Sequence, residues 1–213
     1  MAEKRPSLVR FADGNPRCGW LSDDPLYIAY HDREWGVELR DDRALFELLI
    51  LEGCQAGLSW ITVLRKRENY RRAYDGFDPA KIARYSPARQ TKLMANEGLV
   101  RNRAKIAASV QNAQAFLRIV EREGAFAPWI WQFVGGRPLL RRPKTLRDIP
   151  GSTPESEAMS KALRKEGFNF VGPTICYAFM QAAGMVDDHV EGCHCAGRKA
   201  KARARPARAK KAA

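Results

Sequence analysis

Apolar residues along this chain recur at intervals of three and four, the spacing of a buried helix face, and that pattern predicts helices almost throughout. Asp24 followed by Pro25 pairs an N-cap with a first-position proline and opens a short helix carrying Tyr27, Tyr30 and His31. Leu45, Leu48, Leu49 and Glu52 keep helical spacing through ALFELLILEGCQAGLSW, with Gly57 as the expected stop. Ile61, Leu64 and Tyr70 are apolar among arginines and lysines in the segment that follows. Phe77-Asp78-Pro79 and then Pro87 each open a further helix. Ile106, Val110, Ala113, Leu117 and Val120 form one stripe of RNRAKIAASVQNAQAFLRIVERE, which predicts a long core-facing helix. Residues 124–151 mix prolines and glycines with an aromatic patch (Phe126, Trp129, Trp131, Phe133) and read as a connector holding one short helix. Ser152 with Glu155 three residues later has a capping pattern and opens a helix to about Lys165. Nothing alternates with period two over five or more residues, and no long internal repeat appears. The expectation is an all-α domain of seven to nine helices over residues 17–196, with an N-terminal extension (1–16) and a basic tail (197–213).

Composition narrows this picture. A chain of 213 residues with 45% hydrophobic content can bury a real core in one domain. No apolar run approaches the length of a membrane span, so no membrane partner is expected. The first twenty residues carry charge without an apolar stretch, unlike a secretory signal. With that, five cysteines, an odd number, suggest the reducing cytoplasm, where thiols stay free or bind metal. Of the formal net charge of +13, eight charges lie in GRKAKARARPARAKKAA, leaving +5 elsewhere. Such a tail cannot bury apolar surface and is expected to be disordered. Either it is a solubilising tail or it is an arm that grips phosphates without reading sequence.

Three segments carry candidate chemistry. In GFNFVGPTICYAFMQAAG a helix ends at Gly167, four residues turn, Gly172 permits a second bend, and a helix starts at Pro173. The backbone N–H groups of Gly172, Thr174 and Ile175 would then be free to meet one DNA phosphate, although ordinary helical corners share this grammar. Cys18, His31, His189 and Cys193 offer two thiols and two imidazoles, enough for a closed, structural zinc site, with His194 and Cys195 as alternatives to Cys193. Glu52 follows Leu48-Leu49-Ile50-Leu51. It is either a helix-end carboxylate facing solvent or a salt bridge, or a buried one whose proton affinity is altered. Tyr27, Tyr30 and Trp60 are aromatics that would stack on a planar base or simply pack the core. Cys54 and Cys176 sit in apolar contexts without a C-x-x-C, which argues against a thiol redox enzyme.

The stretches RCGW, DPLYIAYHDREWGV, LFELLILEGCQAGLSWITVLRKRENYR and SKALRKEGFNFVGPTICYAFMQAAGMVDDHVEGC together resemble the 3-methyladenine DNA glycosylase I family, bacterial alkylation-repair enzymes of the helix-hairpin-helix superfamily. The resemblance runs from about Arg17 to Cys193. It implies a helix-hairpin-helix over about residues 155–184 and one structural Zn2+ on Cys18, His31, His189 and Cys193. It also implies a base pocket of Glu52, Tyr30 and Trp60, walled by Tyr27 and Trp20, with Glu52 the catalytic group. The loop Gln55-Ala56-Gly57-Leu58 is implied to fill the gap left by a flipped base, Leu58 being the apolar wedge. The implied reaction is hydrolysis of the N-glycosidic bond of 3-methyladenine in double-stranded DNA. It leaves an abasic site and free 3-methyladenine, without strand cleavage, and the protein is expected to act as a cytoplasmic monomer. A non-catalytic, zinc-stapled protein that binds DNA damage is the alternative. Asp187 stands where the superfamily's usual catalytic aspartate falls, but the resembling family often lacks that residue, which leaves its role open.

Overall fold

Helix starts follow the caps that the sequence advertises. A computed structural model describes residues 6–197, so the first five residues and the basic tail beyond Gly197 lie outside the described residues. Asp24 accepts hydrogen bonds from the backbone of Leu26 (2.8 Å) and Tyr27 (3.3 Å) and opens α1, Pro25–Arg33. Asp41 caps α2, Asp42–Gln55, and Ser59 precedes α3, Trp60–Ala73. Asp78 and Ser86 cap the short α4, Pro79–Ile82, and α5, Pro87–Met94, each with proline next. Asn102 caps the long α6, Arg103–Glu123. The connector holds α7, Phe126–Trp131, whose first two N–H groups bond to the carboxylate of Asp42 at 2.8 Å each. The last two helices are α8, Pro154–Glu166, and α9, Pro173–Ala182.

Two local details differ from the expectation. The cap of α8 is Thr153, with Ser156 completing a reciprocal capping box, and Ser152 and Glu155 do not form it. Pro154 explains this: it occupies the first helical position and forces the preceding residue into extended backbone, the conformation of a cap. In the turn between α8 and α9, Gly167 takes φ +97 as expected, but Gly172 has φ −62, open to any residue. The second left-handed residue is Phe170, at φ +57. Among the described residues are also four brief strands, β1 (Leu8–Arg10) antiparallel to β2 (Pro16–Cys18) and β3 (Leu139–Leu140) parallel to β4 (Val186–Asp187). Two- and three-residue strands are too short to leave an alternating pattern.

The core is organised on α2, which is buried from Ala44 to Cys54 except at Glu47 and packs against α3, α6, α7 and α9. A helix with apolar residues all round has no solvent face to offer, so it becomes the central element. On α6 the expected stripe faces inward at Ile106, Val110 and Ala113, while Leu117 and Val120 are half-buried at its rim. Among the described residues no helix is long and apolar enough to cross a membrane.

Candidate active site

Glu52 reaches its position because α2 is buried to its last turn. Its side chain sits in the wall of a cavity of about 350 Å³, lined also by Trp20, Tyr27, Tyr30, Trp35, Gln55, Trp60 and Gln181. That volume lies at the small end of the ~300–1,000 Å³ typical of small-molecule sites. The rings form a connected group: Trp20 lies 5.1 Å from Tyr27 and 5.1 Å from Trp35, and Tyr30 lies 5.4 Å from Trp60. Burial pushes the Glu52 carboxyl up to about 8, so in the empty cavity the protonated form prevails at neutral pH. Glu52 Oε2 and Trp60 Nε1 are buried without a hydrogen-bond partner among the described residues. Buried polar atoms normally find partners, and an unpaired set in a cavity wall marks a place for a polar ligand. The structure thus brings together Glu52, Tyr27, Tyr30, Trp60 and Trp20. Trp35 and Gln181 join them unforeseen, since neither stood out from the helical pattern around it.

Gln55 is the last residue of α2 and lines the cavity, whereas Leu58, two-fifths exposed, stands at the surface of the loop that follows. Gly172, Thr174 and Ile175 gather at the start of α9, beside a concavity lined by Arg164 and residues 167–172. Asp187 is absent from the lining of the main cavity. Its carboxylate accepts from the backbone of His189 and faces His189 Nδ1 at 2.8 Å.

Behind Trp20 and Trp35 lies a cluster of cysteine and histidine. His31 Nε2 is 3.5 Å from Cys193 Sγ, and the ligand atoms of His31, His189, Cys193 and Cys195 lie within 4.8 Å of one another. His189 Nε2 is buried with no partner among the described residues. The other nitrogen of each ring is held by a carboxylate: His31 Nδ1 by Asp32 and His189 Nδ1 by Asp187, both at 2.8 Å. This is the outer arrangement that orients imidazoles toward a metal. Cys18, at the end of β2, is fully buried, and its sulfur accepts from the backbone of Val190 at 3.4 Å. Hydrogen bonds from the Cys18 and Cys195 thiols pull the Cys193 thiol well below its ordinary range, toward the thiolate a metal requires. The expected ligands His31, His189 and Cys193 do converge, and a metal fits them. The fourth member of that group is Cys195 and not the expected Cys18, and Cys195 also contacts His194 Nε2 at 3.5 Å. His194 itself faces Asp32 at 3.0 Å. Cluster and cavity share walls: the His189 ring lies 4.6 Å from Trp35 and the His31 ring 5.4 Å from Trp20.

An aromatic, carboxylate-bearing cavity within a helical fold has the chemistry to take a planar polar ring, and known proteins resemble this chain over most of its length. The Methyladenine glycosylase family model matches residues 20–196. The chain is 54% identical over 179 residues to DNA-3-methyladenine glycosylase 1 of Escherichia coli K12, covering 84% of this chain and 96% of that protein. A crystal structure of 3-methyladenine DNA glycosylase I, also 54% identical, superposes with a TM-score of 0.83 over 84% of this chain and 98% of the other. A variant of 3-methyladenine DNA glycosylase I in complex with 3-methyladenine is 36% identical and gives a TM-score of 0.81, over 83% and 95% of the two chains. The chain belongs to the methyladenine glycosylase family.

Proposed function

We propose that this protein is a base-excision repair glycosylase that flips 3-methyladenine out of duplex DNA into the cavity at Glu52 and hydrolyses its N-glycosidic bond. The observation that carries the reading is the pairing of unsatisfied Glu52 Oε2 and Trp60 Nε1 with a stack of aromatic walls. The substrate base carries a positive charge, so its glycosidic bond is already weak, and electron-rich rings hold it by their faces. Glu52 adds discrimination. An empty apolar site keeps it protonated, while a cationic ring within reach favours the carboxylate, so the charged base gains an ion pair that neutral adenine does not. Tyr30 and Trp60, packed against each other, present one aromatic wall to the ring, and Tyr27 and Trp20 close the sides. The start of α9, with the N–H groups of Thr174 and Ile175 and the backbone of Gly172, grips a phosphate in the manner of a helix-hairpin-helix. Leu58 fills the gap in the duplex, with Gln55 beside it at the cavity mouth.

The Cys/His cluster fits one structural zinc held by His31, His189 and Cys193, with Cys18, whose thiol hydrogen-bonds that of Cys193, as the fourth ligand. Cys18 is favoured over Cys195 because its sulfur accepts the backbone N–H of Val190, a bond that suits a thiolate ligand, whereas the Cys195 sulfur turns to His194 and Asp32. Such an ion ties β2 and α1 to the segment after β4 and braces the walls made by Trp20 and Trp35; it supplies no step of the reaction. Purified protein incubated with methylated DNA is expected to liberate 3-methyladenine and to leave abasic sites without strand breaks. DNA binding with no released base would instead favour a non-catalytic damage-binding protein.

A further inference from the structure

Of the three polar side chains buried on α6, Ser109 turns back to Ile106 O of its own helix, while Lys105 and Asn112 reach out to other elements. They are seven residues apart, two turns of helix, and therefore lie on one side of it ~10 Å from each other. Lys105 Nζ donates to Cys54 O at 2.8 Å and to Ala56 O at 2.6 Å, the last carbonyls of α2 and the first of the loop ending at Leu58. A cation suits this place, because helix C-termini leave carbonyls without intrahelical donors and carry negative partial charge. Asn112 donates from Nδ2 to Asn169 O at 3.0 Å and accepts from Asn169 N at 2.8 Å, which pins the turn between α8 and α9. The two holds are joined across the gap. Phe170 lies with its ring 6.0 Å from Lys105 Nζ, and its Cβ approaches Gly53 so closely that a side chain there would meet it at 3.2 Å.

From this we infer that α6 is a ruler that sets the distance between the phosphate-gripping turn and the gap-filling loop, and that Lys105 is the positioning residue at its loop end. The inference rests on the reading of Leu58 as the residue that fills the duplex. Lys105 touches neither base nor cavity. It acts by fixing the carbonyls from which residues 56–58 depart, so that a phosphate held at α9 and a base extracted beside Leu58 stay in register. Its removal is expected to misplace the loop while the cavity stays intact.

The test compares full-length wild type, Lys105→Met, Leu58→Ala and the double variant, with Lys105→Gln as the substitute if the methionine protein is insoluble. Two quantities are read: single-turnover base release from methylated duplex, and affinity for free 3-methyladenine by tryptophan fluorescence. Lys105→Met is expected to slow release by ~10–100-fold, the scale of a displacement of about an ångström. Its affinity for the free base should stay within about twofold of wild type, and the double variant should be no slower than the slower single variant. Unchanged release in Lys105→Met beside slowed release in Leu58→Ala overturns the inference alone. So does a parallel loss of free-base affinity, which would mean general loosening of the fold. Unchanged release in Leu58→Ala overturns the gap-filling reading and this inference with it.

Discussion

Asp187 Oδ1 stands 2.8 Å from His189 Nδ1 and also accepts the His189 backbone N–H, so this carboxylate is committed to holding an imidazole. Its other oxygen accepts from the backbone of Gly197 at 3.0 Å. A general base must reach the water it activates, and Asp187 neither lines the cavity nor has an oxygen to spare. Asp187→Asn is therefore expected to keep base release within a few-fold of wild type while weakening metal retention by ~10–100-fold, the usual cost of losing a carboxylate behind a ligating histidine. Release measured beside metal content in a chelator titration distinguishes the outcomes. Lost release with metal retained would return Asp187 to the chemistry.

The choice between Cys18 and Cys195 as the fourth ligand, and second thiol, is also open to direct measurement. Cys18→Ser is expected to lower bound zinc from about one per chain and to reduce melting temperature, because the ion joins segments far apart in sequence. Cys195→Ser should retain the metal. The reverse pattern assigns the ion to the group of His31, His189, Cys193 and Cys195. Metal loss should also weaken free-base binding, since the histidine rings back the cavity walls at Trp20 and Trp35.

Much of this was legible in the chain, for identifiable reasons. Caps such as Asp24-Pro25 and Asp78-Pro79 act locally, so helix starts could be read one residue at a time. Glu52 was conspicuous because a charge within an apolar run contradicts its surroundings. Lys105 and Asn112 gave no such signal: in RNRAKIAASVQNA both look like solvent-facing residues, and only tertiary packing turns them inward. Trp35 and Gln181 were missed likewise, because a cavity wall is assembled from separate elements and no local spacing records it. The cap at Thr153 was misread for a local reason, the proline at the next position.

Glu52→Gln preserves the shape of the protonated side chain that the empty cavity favours and removes only the capacity to ionise. If that capacity distinguishes a cationic base, release of 3-methyladenine should fall by ~10²–10⁴-fold, the range of groups that act through their charge state. Zinc content should be unaffected. Single-turnover release from methylated DNA decides it, and equal rates in the two proteins would remove Glu52 from the mechanism.

The tail beyond Gly197 contributes eight basic residues with no acidic one. Each phosphate it neutralises should steepen the dependence of DNA affinity on salt. Deleting residues 198–213 is expected to flatten that dependence and weaken binding at low salt, with release at saturating enzyme unchanged. Affinity measured across a salt series is sufficient, and an identical slope would leave the tail a solubilising role.

The buried carboxyl of Glu52 should also be visible in folding equilibria. Burial raises it from 4.5 to about 8, so between those values the unfolded chain has released this proton while the folded chain still holds it. The folded state then binds more protons, and its stability falls as pH rises through that window. The loss approaches ~1.4 kcal/mol per pH unit inside the window and sums to the order of a few kcal/mol by about pH 8. Glu52→Gln cannot ionise and escapes it. The variant should match wild type in denaturant unfolding near pH 4.5 and become progressively the more stable protein toward pH 8, the difference levelling off above. A saturating cationic ligand should narrow that gap by favouring the ionised wild-type side chain. Parallel stability curves for the two proteins across the window would show that Glu52 ionises as freely in the fold as in water, and that the cavity does not hold it protonated.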